Sequence, residues 1–293
     1  MTLTWIMPDN NRTVIWDGKE FVCDDGKFRI FQYPVSVGGW SSDLAELMFS
    51  ENDSERPIGI ASRKHTIEQI RKYMPESEPK YILEVGCTTG LMIETLQSEF
   101  PDALIAGSDV EYKSLLSIAD KYTSVPLFQL DLANADLPQQ KFNCIVSLNV
   151  LEHIKDDKSA IRNIARLLKT NGILVLELPA GASLYDVFDK HLRHYRRYDI
   201  DKLVNLLESS GFEIIEKSHL GFLPFPLFWL RKKLNRRLLN ANEAVQTEIT
   251  NKYLRQTKRS KILSILFSVE EQLRKIFYLP FGIRCLITCR KLI

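Results

Sequence analysis

The spacing of hydrophobic positions changes character near residue 80. Before it, "TVIWDGKEFV" and "FVCDDGKFRIF" set apolar residues on either side of Asp17-Gly18 and Asp25-Gly26. Asp-Gly accepts the positive backbone angles of a tight turn, so the start of the chain reads as a small β element of hairpins. "GGWSSDLAELMFS" offers a cap at Ser41 or Ser42 and predicts a short helix. In "ASRKHTIEQIRKYM", Ala61, Ile67, Ile70 and Met74 recur at helical spacing until Pro75 stops the run.

From Tyr81 onward, short apolar runs alternate with amphipathic ones. Strands are predicted at "YILEV", "ALIAGSDV", "VPLFQLDL", "FNCIVSLNVL", "ILVLELP" and "FEIIEKSHL". Helices are predicted at "GLMIETLQSEF", "EYKSLLSIADKY", "DDKSAIRNIARLLKTNG" and "DIDKLVNLLESSG", the third with acids in front and Asn171-Gly172 behind as its caps. Such alternation gives an α/β fold with a parallel, doubly wound sheet. Residues 222–280 carry helical, partly basic segments, and "IRCLITCRKLI" reads as a last strand that returns to the sheet. The expected organisation is an N-terminal β-hairpin and helical cap over 1–75, a core over 76–221, a helical insertion over 222–280 and a final core strand over 281–293.

Composition narrows the classes. The 293 residues are 45% hydrophobic and 26% charged, an ordinary globular balance. Lys+Arg 39 against Asp+Glu 37 leaves a net charge of +2, so there is no global field and no nucleic-acid partner is expected. Cys23, Cys87, Cys144, Cys285 and Cys289 are scattered and odd in number, which reads as reduced thiols in a cytoplasmic protein. No carboxylate or His cluster with ligand spacing appears along the chain, so no metal is expected. The start lacks a basic stretch followed by an apolar one, and no signal peptide is expected. The longest apolar run, "LGFLPFPLFWL", is too short to cross a bilayer and contains Pro224 and Pro226.

The chemistry concentrates where strands end. In "YILEVGCTTG", Glu84 precedes a turn with Gly86 and Gly90, where missing side chains let a ligand approach the backbone. Neither the G-x-G-x-x-G dinucleotide fingerprint nor a Gly-Lys-Ser/Thr phosphate loop is present. Asp109 ends the second strand, where a carboxylate accepts both hydroxyls of a ribose. Asp131 ends the third, within reach of an adenine amino group. A ribose clamp without a phosphate cradle suits a cationic nucleoside.

On these residues, together with "NVLEH" at Asn149 to His153, the segment 81–180 resembles the class I S-adenosylmethionine-dependent methyltransferases. Glu84, Gly86, Thr88 and Gly90 stand at the family's E-x-G-x-G-x-G, with Thr88 in place of its middle glycine. The resemblance implies a Rossmann-like seven-stranded sheet of order 3-2-1-4-5-7-6 with the last strand antiparallel. It implies S-adenosylmethionine as cofactor, becoming S-adenosylhomocysteine. The contacts it implies come from Glu84, Gly86, Cys87, Thr88, Gly90, Asp109, Val110, Asp131, Leu132, Leu148 and Asn149.

The acceptor side is more open. His153 fits either a general base or a ring that packs the turn. In "HLRHYRRY", His191 and His194 are candidate bases, and Tyr195, Arg196, Arg197 and Tyr198 are a candidate substrate wall; a structural loop is the alternative. "WLRKKLNRRLL" fits either a solvated helix face or contact with a membrane surface or lipid-linked acceptor through 220–239. The N-terminal segment and the insertion are expected to form the acceptor pocket or its lid. The expected activity is O-, N- or C-methylation of a small or medium-sized acceptor such as a small molecule, glycan, lipid-linked compound or secondary metabolite, by a monomer or homodimer. The competing class is a methyltransferase fold without catalysis, serving binding or assembly; an aminopropyltransferase is a further one.

Overall fold

The computed structural model describes residues 3–6, 12–35, 43–44, 56–76, 79–133, 137, 141–257 and 259–292. Strands β1 (Leu3–Ile6), β2 (Thr13–Trp16), β3 (Phe21–Cys23) and β4 (Gly26–Phe28) form an antiparallel meander. Alternation buries Leu3, Trp5, Val14 and Trp16 on one face. The first turn closes on Asp17, whose Oδ1 accepts from the backbone N–H of Lys19 at 2.9 Å and Glu20 at 2.8 Å. The second differs from expectation. Cys23 pairs with Gly26, so Asp24 and Asp25 make the turn and Gly26 opens β4. Of the helix expected after Ser41 and Ser42, Asp43 and Leu44 are helical and the rest lies outside the described residues.

The chain continues through β5 (Ile30–Gln32), α1 (Pro57–Tyr73), β6 (Lys80–Val85), α2 (Leu91–Glu99), β7 (Ala103–Asp109), α3 (Tyr112–Ala119), β8 (Leu127–Gln129) and β9 (Phe142–Leu148). Then come α4 (Asp157–Leu167), β10 (Leu168–Pro179), α5 (Val187–His191), α6 (Ile200–Glu208) and β11 (Phe212–Leu220). The helical block contains α7 (Phe225–Asn235), α8 (Glu243–Thr257) and α9 (Lys261–Arg274) before β12 (Arg284–Lys291). The main sheet has the order β11-β12-β10-β9-β6-β7-β8-β5. Counted from β6, this is the expected 3-2-1-4-5-7-6 with one more strand, β5, pairing in parallel with β8 at the edge.

β12 runs antiparallel to both neighbours. The reason is local: Ile283 N–H donates to Leu220 O at 2.8 Å, so the helical block hands the chain back where β11 ended. A strand starting there can only run back.

Helix α4 stops at Leu167, short of the Asn171-Gly172 cap that its sequence suggests. Leu168 already pairs with Phe142, and the ladder resumes at Ile173 with Cys144. Asn171, at φ 62°, therefore shapes a bulge inside β10 and not a helix end.

Successive strand residues feed two cores, as expected for a sheet covered on both faces. Leu83, Ala106, Ile145 and Leu174 meet α4, α6 and the meander, while Ile82, Ile105, Cys144 and Val175 meet α1, α2 and α3. Trp5 joins the meander to the main sheet, its ring centroid 4.4 Å from that of Phe128 and 5.9 Å from that of Phe142. Trp5 Nε1 donates to Tyr33 Oη at 2.8 Å, and Tyr33 Oη donates in turn to Ile6 O.

Candidate active site

The strand order reverses between β6 and β9, and a crevice opens there beyond the carboxyl ends of the strands. It is a cavity of about 870 Å³. Turns after β6, β7, β8 and β9 form one side of its wall, with Arg56, Ile58 and Ser62 at α1 and Phe228, Arg231 and Lys232 of α7 on the other. Within the N-terminal segment, the wall takes Arg56 and the start of α1 and nothing from the meander among the described residues.

Gly86 and Cys87 both donate backbone N–H to Ser108 O, at 2.8 and 3.0 Å, which bends the turn across β7. A Cβ on Gly86, at φ 75°, would sit 2.5 Å from Val150 Cγ2, so no other residue fits. Gly90 has a different reason. Its Cβ would lie 2.3 Å from Tyr122 Cε2, and it caps α2 outside the cavity wall. Its bareness serves packing, not ligand approach. Thr88, at the family's glycine position, takes φ 26° and donates from its backbone N at 3.0 Å and Oγ1 at 3.2 Å to Asp109 Oδ2.

Three carboxylates face this part of the cavity. Burial, with Asp109 nearby, pushes Glu84 well above the usual carboxylate range, and the Ile93 backbone N–H pulls it part of the way back. Glu84 Oε2 has no hydrogen-bond partner among the described residues. Burial also raises Asp109, whose Oδ1 accepts from Glu111 N at 2.9 Å. Asp131 Oδ1 accepts from Ala133 N at 2.9 Å. Cys87, Val110, Leu132, Leu148 and Asn149 line the same wall. Asn149 holds φ 56°, and its Nδ2 donates to Glu177 Oε1 at 3.0 Å. These groups fit S-adenosylmethionine: a buried carboxylate oxygen without a hydrogen-bond partner suits its ammonium, and Asp109 Oδ1 has one lone pair left for a ribose hydroxyl.

The opposite end is made by residues far apart in sequence. The fold brings one atom each of Glu152, His153 and His194 within 4.8 Å of the others, a cluster that no local spacing announces. Burial pushes the Glu152 carboxyl up to about 8. Burial, then His194, holds His153 well below the usual imidazole range. His194 Nδ1 lies 3.0 Å from Asp189 Oδ1. An ionised carboxylate only accepts, so Nδ1 carries the proton and Nε2 keeps its lone pair. Burial lowers His194, against the pull of Asp189. Burial alone would raise Asp189, but His194, Arg197 and Lys232 overcome it and hold that carboxyl below the usual range.

Of the predicted acceptor residues, His153, His194, Tyr195 and Arg197 line the cavity, while His191, Arg196 and Tyr198 do not. Arg196 is turned to Ile154 O and Lys155 O at 3.1 and 2.7 Å and to Asp157. Tyr198 Oη donates to Asp157 Oδ2 at 2.9 Å. Arg197 reaches the wall but spends its guanidinium on Ala180 O, Ile283 O and Asp189. Tyr195 alone of the four is exposed.

Lys232 corrects the reading of "WLRKKLNRRLL" as a row of outward cations. It is 3% exposed, with Nζ 2.7 Å from both Asp186 Oδ1 and Asp189 Oδ2. Sequence reasoning also missed buried Glu177 and its half-buried ion-pair partner Arg284 in the wall, the latter also bonded to Ser62. An acid at the end of the otherwise apolar "ILVLELP" was the available signal for Glu177.

A doubly wound sheet of this order, with an acidic first turn and no phosphate cradle, is the architecture of the nucleoside-binding methyltransferase class. A family model described as "Methyltransferase domain" matches residues 60–217, and the chain belongs to this family. A protein of Mycobacterium tuberculosis named "Probable S-adenosylmethionine-dependent methyltransferase" is 24% identical over 152 residues, 51% of this chain. The match spans 54% of that relative, so the chain corresponds to about half its length. A ubiquinone biosynthesis O-methyltransferase of Coxiella burnetii is 28% identical over 204 residues, covering 62% of this chain and 86% of its own. Among solved structures, the [4+2]-cyclase SpnF superposes with a TM-score of 0.51 at 18% identity, covering 78% of this chain and 80% of its own. YcgJ of Bacillus subtilis gives the same TM-score at 15% identity, covering 78% and 99%. Both show a shared fold.

Proposed function

We propose that the chain is an S-adenosylmethionine-dependent methyltransferase acting on a hydroxyl group of a small or medium-sized acceptor. One observation carries this reading. Glu84, with its unpartnered Oε2, and the Glu152–His153–His194 corner line one cavity, so a cationic nucleoside and an acceptor can meet inside it. S-adenosylmethionine, when bound, supplies a methyl group already activated on a sulfonium.

The chain's own residues then do little bond chemistry. Glu84 would accept from the ammonium, Asp109 from the ribose and Asp131 from the adenine amino group, and Gly86 would let the ligand lie close to the backbone. His194 Nε2, aimed by Asp189, accepts the hydrogen bond of the acceptor hydroxyl and is the atom positioned to receive its proton. Ile58 and Phe228 add apolar surface to the wall of the same cavity. The O-methyltransferase relative supports oxygen as the nucleophile. Exposed Leu227, Leu230 and Leu234 beside Lys233, Arg236 and Arg237 support an acceptor that carries a lipid or lies at a membrane surface.

Calorimetry with S-adenosylmethionine and S-adenosylhomocysteine tests the first half. Binding of both is expected, and no heat with either at millimolar concentration overturns the reading. Incubation with methyl-labelled cofactor and a panel of phenols and sugars, with and without an isoprenoid tail, tests the second. Label is expected in a hydroxylated member of the panel. Tight cofactor binding with no transfer to any member moves the chain to the class of binding or assembly proteins.

A further inference from the structure

Helix α7 is attached to the molecule in an unusual way. Its buried residues are Phe228 and Lys232, one turn apart on a single face. The remainder of the helix shows Leu227, Trp229, Leu230 and Leu234 to solvent. Phe228 and Lys232 are thus the two side chains that the helix roofing the cavity buries, with Phe225 at its start tilted against Phe281.

The cation goes to a specific place. Asp186 and Asp189 form the capping box of α5, and both are fully buried. Asp189 Oδ2 accepts from Lys232 and its Oδ1 from His194 and from Arg197 at 2.8 Å. Lys232 and Arg197 both lie over the Phe228 ring, at 5.5 and 5.6 Å. Two anions and two cations therefore balance beneath α7, and one cation is supplied by the helix itself.

We propose that Lys232 is a positioning residue through which the seating of α7 sets His194. With α7 down, Asp189 is neutralised by Lys232 and Arg197, and His194 stays a neutral ring that presents Nε2 to the cavity. With α7 lifted, the Asp186–Asp189 pair keeps one cation for two carboxylates. The surplus negative charge then draws a proton onto His194, and its Nε2 turns from acceptor to donor. Roof closure and readiness to accept an acceptor's proton become one event. The inference rests on the methyltransferase reading for the role of His194, but the coupling itself does not need it.

The groups that face His194 are Asp189 of α5, Arg197 of the following loop, Lys232 of α7, and Glu152 and His153 of the turn after β9. Of these, Lys232 is the one an outward movement of α7 removes. Its charge lowers the His194 affinity for protons, as does that of Arg197. The sign is fixed: loss of the ammonium raises it.

The test is nitrogen-15 NMR of the histidine rings in the full chain with S-adenosylhomocysteine present, across the neutral pH range. In wild type His194 is expected as the neutral Nδ1–H tautomer throughout. Lys232→Met should raise its titration midpoint by about one unit or more, the usual effect of a lost neighbouring charge. Lys232→Arg should keep the wild-type behaviour. Should Lys232→Met not fold, the paired Asp186→Asn with Lys232→Met restores the charge balance and is expected to leave His194 neutral. A folded Lys232→Met chain with unchanged His194 titration overturns the proposal, as does a paired variant whose His194 is protonated. Absence of S-adenosylhomocysteine binding would instead count against the proposed function, and the ring titration stays readable without ligand.

Discussion

The Asp109 carboxylate accepts from the Thr88 backbone, the Thr88 hydroxyl and the Glu111 backbone, so it pins the glycine turn as well as facing the cavity. Replacing it with Ala removes both. A hydrogen bond to a charged group contributes about 1.5–3 kcal/mol, and tenfold in affinity corresponds to about 1.4 kcal/mol. Asp109→Ala should therefore weaken S-adenosylhomocysteine binding about tenfold to a hundredfold, read by calorimetry on a chain whose circular dichroism is unchanged. Unaltered affinity would remove Asp109 from the ligand site. His65 gives a second prediction at this scale. It is buried on α1 and accepts from Arg274, and burial followed by the Arg274 charge depresses its proton affinity well below the ordinary value. The folded chain keeps His65 neutral while the unfolded chain protonates it below about pH 6.5. Its contribution is thus present above that pH and lost as pH falls. The stability gap between wild type and His65→Gln, from urea titrations, should shrink between about pH 7.5 and 5.5. A gap that widens with acid contradicts a neutral buried ring.

At the scale of elements, the meander and the main sheet are held by aromatic packing and not by shared strands. Trp5 is fully buried, touches Phe128 and Phe142, and hydrogen-bonds Tyr33 across to the segment after β5. Aromatic-to-Ala changes in a core cost about 3–5 kcal/mol. Trp5→Ala should lose about that much in denaturant unfolding while cofactor affinity per folded molecule stays as in wild type, because the cavity wall takes nothing from the meander among the described residues. A parallel loss of affinity would mean that the meander supports the site through β8. The same scale explains where local reading stopped short. Asn171-Gly172 carries a proper helix-ending signal, but the pairing of Leu168 with Phe142 takes the chain into β10 first. Gly90 looks like a ligand-contact glycine in sequence and is instead an accommodation to Tyr122, thirty-two residues away along the chain.

Across the whole molecule, apolar side chains gather on the helical block. Leu227 is 74% exposed, Ile262 72%, Ile276 75% and Phe277 60%. Phe281 makes tilted contacts with Phe222 and Phe225, ring centroids at 4.7 and 5.0 Å, so the segment before β12 lies against the start of α7. No helix among the described residues is long and apolar enough to cross a membrane. Apolar side chains flanked by cations favour an anionic interface. The chain is expected to float with vesicles that contain anionic lipid and not with zwitterionic ones, and the triple change Lys233→Gln, Arg236→Gln, Arg237→Gln should abolish flotation. Flotation that ignores both lipid charge and these substitutions would assign the face to another partner. The sheet was legible because period and turn chemistry are local: alternation around Glu84, Asp109 and Asp131 orders strands and sets acids at their ends before any long-range contact exists. The same locality made the five cations between Arg231 and Arg237 look alike. Lys232 finds Asp186 across 46 residues, and His194 comes to Glu152 from the loop after α5. Charges carry no periodicity that marks their partners. Which cation is buried, and which imidazole faces the cavity, was decided by tertiary packing, because only the assembled core removes the water that would otherwise solvate each of them alone.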